Sequence, residues 1–297
     1  MKSPPPSGPA NPRRTPQWRT HTGQEIILGP LIAKGGEGEI FAVIGHDDQV
    51  AKIYYPQERT LDRELKLQVM ISRPPRDETK TAINHPSIAW PAHIIYDNGQ
   101  FAGYQMPRIT RAWPLIEIYN PTLRSQQANV ANWGFLHHAA GNLAKAVNVL
   151  HVWRYVVGDL NESNLLVNKD ALITLVDTDS FQVQDEQRRR VYYCRVGKPE
   201  FTPPELYGRR LASTERYWYH DSFGLAVLIF MILMEGNHPF TGYPRSGVSV
   251  PSLVYQDNIA RGIFPYDPAS GYDPPKGAPN FATLHPLLQS LFRQAFI

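Results

Sequence analysis

Apolar and polar positions alternate along residues 25–55, in "EIILGPLIA", "GEIFAVI" and "QVAKIYY", with Gly-rich or Asp-rich turns between them. A period of two broken by turn residues predicts an antiparallel set of strands. In "PQERTLDRELKLQVMIS" the period lengthens, with Leu61, Leu65 and Val69 recurring among charges behind a proline, which predicts a helix. Further strands are expected at "SIAWPAHIIY" and "FAGYQMP", ending near Pro107 in a connector. After Pro114 helical periodicity dominates, in "ANWGFLHHAAGNLAKAVNVLHVW", "HDSFGLAVLIFMILMEG" and "TLHPLLQSLFRQAFI". Between the first two of these, "NLLV" and "LITLV" are joined by "NKDA" and predict a hairpin. The expected class is α+β, with a small sheet and one main helix in residues 23–107 and a mainly helical lobe in 108–297. No internal repeat interrupts this order.

A chain of 297 residues can bury a sizeable core in two domains or two lobes. The first 16 residues hold six prolines and predict a flexible or polyproline-like tail over residues 1–22. That end also carries the charge surplus: Lys2, Arg13, Arg14 and Arg19 stand without an acid, so the formal +3 becomes 3 − 4 = −1 for the rest. Nothing in the folded part advertises nucleic-acid binding. One cysteine, Cys194, excludes an internal disulfide and fits a reducing compartment, so the expected location is cytoplasmic. The longest apolar run, residues 223–234, is 12 long where a membrane span needs about 20, and it reads as a buried helix. The start of the chain has no apolar stretch of signal-peptide length.

Candidate chemistry concentrates in "GDLNESNLLVNKDALITLVDTDSF". The hairpin returns the chain beside its own start, so Asn164 and Asp177 become neighbours at its open end. Asp159 lies on the incoming loop and Asp179 follows Asp177 by two residues. Carboxylates gathered this way repel unless a cation neutralises them or their pKa values rise, and hard oxygen ligands suit Mg²⁺. Upstream, Gly35, Gly36 and Gly38 sit in a turn where missing β-carbons let backbone N–H groups approach phosphate oxygens. Lys52 in the next strand can add a point charge. Each feature alone is common. Their order, glycine loop, lysine, helix with an acid, connector, then Asp, Asn and Asp, is what carries information.

That order resembles the protein-kinase fold, specifically the bacterial eukaryotic-like Ser/Thr kinases, from about Gly23 onward. "IAKGGEGEIF" is similar to the family's glycine-rich loop, with Ala33 at the usual first glycine, and "VAKIY" to the strand carrying the phosphate-binding lysine, Lys52. "GDLNESNLLV" resembles the catalytic loop, which implies that Asp159 accepts the substrate hydroxyl's proton and Asn164 binds metal. "VDTDSF" stands where Asp-Phe-Gly is usual, making Asp177 the principal metal ligand. Glu64, on the face with Leu61, Leu65 and Gln68, is the expected partner of Lys52, preferred over Glu58. Ile40 and Ala51 are expected at the nucleotide, and the backbone of Met106 to Arg108 at the adenine ring. "VGKPEFTPPEL" resembles the end of an activation segment closed by Glu205, "DSFG" with Asp221 the start of the central helix, and "GNHPF" the loop behind it. The implied reaction is transfer of the γ-phosphate of ATP, with Mg²⁺ or Mn²⁺, to Ser or Thr hydroxyls of a protein, itself included. A regulatory partner, if one binds, is expected at the Pro-rich tail or beyond Ile297.

The chain also departs from the family pattern. Val157 and Gly158 replace the His and Arg before the catalytic aspartate, so switching by loop phosphorylation is not expected, with Arg188, Arg189 and Arg190 the candidates to replace that cation. Asn161 stands where a lysine is usual, and Lys198 is expected to bring an ammonium to Asp159 from the other side of the cleft. Thr178 and Asp179 replace Phe and Gly, which predicts a segment fixed near one state and offers Asp179 as a metal contact or a cap. The segment from 177 to 205 exceeds the usual 12 to 15 residues of structureless connections. In the family an arginine beyond the position of Ile297 usually pairs with the glutamate found here at Glu205, so the helical lobe is expected to be truncated at its C-terminal end. Two other readings stay open: a pseudokinase that binds nucleotide or a partner, and a phosphotransferase for small alcohols, whose family shares "GDLNESN"-like loops but generally lacks the later segment.

Overall fold

The computed structural model describes residues 17–127, 132–245 and 255–297. Its first lobe holds β1 (Trp18–Thr20), β2 (Glu25–Ile26), β3 (Leu28–Lys34), β4 (Gly38–Val43) and β5 (His46–Tyr54). Then come α1 (Leu61–Ser72), α2 (Glu78–Ile83), β6 (His93–Asp97) and β7 (Gln100–Pro107). The strands form one antiparallel sheet in the order β2-β1-β6-β7-β5-β4-β3. Alternation fixes its faces: Val50, Tyr54, Tyr104 and Met106 join the main core, whereas Ala51 and Ile53 pack outward with Ile26, Val43 and Ile95. Close approach of β7 to β5 requires Gly103, because a β-carbon there would collide with the Lys52 carbonyl. Of the tail expected over residues 1–22, 1–16 lie outside the described residues, and Trp18–Thr20 pairs with β2 and β6 as a strand.

Helix α1 starts at Thr60, whose side chain accepts the Arg63 N–H at 3.3 Å. It turns Lys66, Leu67 and Met70 fully inward; of the expected stripe Leu65 and Val69 pack half-buried against the core, whereas Leu61 is largely exposed.

The second lobe contains β8 (Ala112–Pro114), α3 (Leu115–Tyr119), α4 (Pro121–Gln127), α5 (Trp133–Val152), β9 (Leu165–Asn168) and β10 (Ile173–Leu175). After these follow β11 (Val183–Asp185), β12 (Arg190–Tyr192), α6 (Trp218–Leu233), β13 (Tyr243–Pro244), α7 (Tyr255–Ala260), β14 (Tyr272–Asp273) and α8 (Pro286–Phe296). The apolar run of residues 223–234 is indeed the core helix α6: Val227, Leu228, Phe230 and Ile232 are fully buried. Phe230 meets Phe264, Tyr266, Phe281, Phe292 and Phe296 with ring centroids 4.9–6.1 Å apart. Among the described residues no helix is long and apolar enough to cross a membrane. The 177–205 segment is not structureless. It carries the β11–β12 hairpin and single helical turns at Thr178–Ser180, Pro199–Phe201 and Pro204–Leu206.

Candidate active site

Strands β9 and β10 pair antiparallel, and the Val176 N–H donates to the Asn164 carbonyl at 2.9 Å, which sets Asn164 beside Asp177 at the hairpin's open end. Asp177 adopts φ +57°, a left-handed conformation that aspartate tolerates better than most side chains. Across the cleft, β5 alternation directs Lys52 inward, and its Nζ lies 2.6 Å from Asp177 Oδ1. The same ammonium lies 2.8 and 2.9 Å from the two oxygens of Asp179. Both lobes therefore meet at one lysine.

Asp179 is the unexpected centre. Its buried carboxylate also accepts hydrogen bonds from the Tyr54 and Tyr104 hydroxyls, each at 2.6 Å, and Arg63 stands 3.8 Å away. Burial pushes this carboxyl up, but Lys52 and the two hydroxyls outweigh it and hold Asp179 well below the usual carboxylate range. Asp177 moves the other way: burial and the adjacent Asp179 charge raise it, with Lys52 opposing. The expected Lys52–Glu64 pair is absent. Glu64 accepts a hydrogen bond from the Tyr96 hydroxyl at 2.7 Å instead, because α1 presents Arg63 and Lys66 to the site. Lys66 donates to the Asp179 carbonyl at 2.7 Å, and burial lowers its pKa to about 8. Arg63 grips Glu37, in the glycine loop, through both carboxylate oxygens, and Glu58 at 2.8 Å. The charges are exchanged relative to expectation: the helix brings cations, and the carboxylate for Lys52 comes from just past Asp177.

Asp159 is set from below. The buried Asp221 of α6 accepts the Val157 and Gly158 N–H groups at 2.7 and 2.8 Å, with His151 Nε2 3.0 Å away. Asn161 and Asn164 each donate their side-chain amide to the Asp159 carbonyl at 3.0 Å. Asp159 Oδ1 is buried without a hydrogen-bond partner. Lys198 does not reach it: its ammonium contacts Glu162 Oε1 at 2.8 Å and Ser163 Oγ at 2.6 Å, carboxylate and hydroxyl groups that intercept it three to four residues past Asp159. Arg188 pairs with Asp185 and Arg190 with Asp62, and among the described residues Arg189 makes no contact with the Asp159 loop, so none of the three fills the place left by Gly158. Arg216 does. Its Nη1 donates to the Gly158 carbonyl. Glu205 lies 3.7 Å from His220 Nε2.

A cavity of about 710 Å³ separates the lobes, lined by Gly35, Gly36, Gly38, Ile40, Val50, Lys52, Met106, Arg108, Asp159 and Asp177 among others. Ala51, expected there, faces the outer core, since a one-residue difference on a strand reverses the face. Of the three residues expected at a purine edge, Arg108 has already given its N–H to the Asp48 carbonyl at 2.8 Å. For a divalent ion the donor set fits in part. No group of three His, Cys, Asp or Glu among the described residues is arranged as a metal cage. Asp177, whose pKa is raised by burial and by the adjacent Asp179 charge, and Asn164, whose amide nitrogen is committed to Asp159, leave two oxygen donors. That number suits an ion such as Mg²⁺ that shares its shell with water and phosphate.

A sheet-bearing lobe, a helical lobe, and a lysine–aspartate pair closing the cleft between them define the class: the chain is a divergent member of the protein-kinase-like superfamily. The comparisons agree. The chain is homologous to the protein kinase YegI, being 32% identical over 287 residues (95% of this chain, 43% of the relative) to that of Escherichia coli O157:H7. For Escherichia coli strain K12 the match is 32% over 283 residues, 93% and 42% of the two chains. Ribosomal protein S6 kinase alpha-3 of Homo sapiens is 23% identical over 222 residues, 74% of this chain and 28% of the relative. The chain thus spans less than half the length of these curated relatives. No protein-family model matches it.

Proposed function

We propose that the chain is a protein kinase transferring the γ-phosphate of ATP to Ser or Thr hydroxyls with Mg²⁺ or Mn²⁺. The observation that supports this most is the 2.6 Å Lys52–Asp177 contact across a nucleotide-sized cavity that Asp159 also lines. In this reading the glycine loop and Lys52 hold the triphosphate, Asp177 and Asn164 hold the metal, and Asp159 accepts the hydroxyl proton through its unpartnered Oδ1. A bound divalent cation would supply neutralisation of phosphate charge. The Asp221 anchor keeps the Asp159 loop in place, and Asp179 keeps Lys52 aimed into the cleft.

The test is transfer of label from ATP to a mixed protein substrate and to the chain itself. Asp159→Asn and Asp177→Ala are expected to lose about a hundredfold or more of the rate. Wild-type activity retained in both variants would overturn the reading. One observation favours a second reading, a nucleotide-binding pseudokinase: the cation expected beside Asp159 is held by Glu162. Thermal stabilisation by MgATP with no transferred label from the wild-type chain would select it.

A further inference from the structure

Arg216 lies two residues before α6 and is 2% exposed. Besides the Gly158 carbonyl, its guanidinium donates to the carbonyls of Cys194 at 3.1 Å and Val196 at 2.6 Å. Its backbone is held as well, because the Gln182 carboxamide accepts the Arg216 N–H at 2.8 Å and donates to its carbonyl at 2.6 Å. Among the described residues no carboxylate is paired with this cation, and its Nε has no partner. Burying an unpaired charge costs several kcal/mol, and an apolar side chain of similar volume packs at lower cost. Packing therefore does not account for an arginine here.

What it joins does. Gly158 immediately precedes Asp159, and Cys194 and Val196 precede Lys198 in the segment. A planar fork of five N–H donors in fixed geometry, on a side chain that stays charged when buried, can hold three carbonyls on two separate stretches of chain at once, an arrangement that the compact point charge of a lysine does not reproduce. Position 158 has no room for a side chain of its own. At φ +73°, a β-carbon would fall 2.6 Å from Cys194 Cβ and 3.0 Å from Arg216 Nη1. The cation arrives instead from 58 residues downstream.

We propose that Arg216 is a positioning residue, a clasp that holds the loop carrying Asp159 against segment residues 194–196 through carbonyl groups alone. This rests on the kinase reading only where transfer rates are used. Cys194, the chain's single cysteine, is fully buried behind the clasp and reports its opening independently.

The experiment compares wild type with Arg216→Met, which keeps volume without charge, and Arg216→Lys, which keeps charge without the fork. Iodoacetamide alkylation of Cys194 in native buffer, thermal stabilisation by MgATP, and kcat and KM for ATP are measured on each. Arg216→Met is expected to alkylate at least about tenfold faster. It should keep the MgATP shift, lose about 10- to 100-fold in kcat, and change KM by less than about threefold. Arg216→Lys should fall between, and its labelling decides the matter if the methionine variant does not fold. Unchanged alkylation in folded variants, or kcat and the MgATP shift lost together, would overturn the clasp. A wild type that transfers no phosphate would sink the kinase reading, while the alkylation comparison would still decide the clasp.

Discussion

At the residue scale, the Lys52 site depends on Asp179, and the two candidate carboxylates predict different outcomes. Asp179→Asn removes the charge that compensates a buried ammonium and unsettles two tyrosine hydroxyls, so unfolding free energy should fall by about 3 kcal/mol. Glu64→Gln only weakens a half-buried hydrogen bond, since the carboxamide oxygen can still accept from the Tyr96 hydroxyl, and should cost about 1 kcal/mol or less. Urea denaturation of the two variants checks this; equal losses would contradict the assignment. The sequence brought Asn164 and Asp177 together because the hairpin between them is local, with Asp159 five residues before Asn164; Lys52, 125 positions from Asp177, was reached only through the order of the motifs. It hid Asp179, because that role is created by contacts with residues 75 to 127 positions away. A signal did exist: Tyr54 shares strand parity with Lys52, so a polar tip was bound to point into the same cleft. The same parity, applied to Val50 and Ala51, would have put Val50 at the cavity.

At the scale of elements, α1 was legible as a helix and only in part in its buried face. Leu65 and Val69 of the apolar stripe do pack against the core and Leu61 does not, while the fully buried positions are Lys66, Leu67 and Met70, and a buried lysine looks like surface to any hydrophobic count. The segment after Asp177 was legible by its ends only. Its start is pinned by Thr178, which donates to the Ala89 carbonyl at 2.9 Å, and by the Asp179 network, and its middle forms the β11–β12 hairpin, so a length beyond that of structureless connections carries structure of its own. Two outcomes follow for this element. Lys198→Ala breaks an ion pair that is partly solvated, so it should lower stability by less than about 1 kcal/mol and leave transfer within about threefold. With Arg188 and Arg190 committed to acids and Arg216 to carbonyls, phosphatase treatment of the purified chain should leave its transfer rate within about twofold. Label-transfer rates before and after each treatment are the measurement.

For the whole molecule, stability should depend on pH through His238 in "GNHPF". This imidazole is buried, with Nε2 3.0 Å from the Glu200 carbonyl and Nδ1 accepting the Phe240 N–H, and burial lowers its pKa from 6.5 to about 4. Between those values the unfolded chain takes up a proton that the folded chain refuses, so stability is present above pH 6.5 and falls as pH drops toward 4. The loss attributable to this group approaches about 3 kcal/mol at the lower end. Urea midpoints at several pH values should show a shallower acid slope in His238→Gln. The two-lobed plan itself was readable, because the switch from a period of two to helical periodicity near Pro114 is a feature of long stretches. The contacts between lobes were not, being made by single side chains. One such contact changes how control can reach the cleft. In protein kinases generally, moving the helix of the small lobe breaks the lysine–glutamate pair. Here both of the lysine's anions ride on the same few residues after β10, so a displaced α1 would carry away Arg63 and Lys66 but leave that pair standing. An effector that pushes on α1 would then act as a dimmer, loosening the glycine loop through Glu37, where in the usual arrangement it would act as an on–off switch.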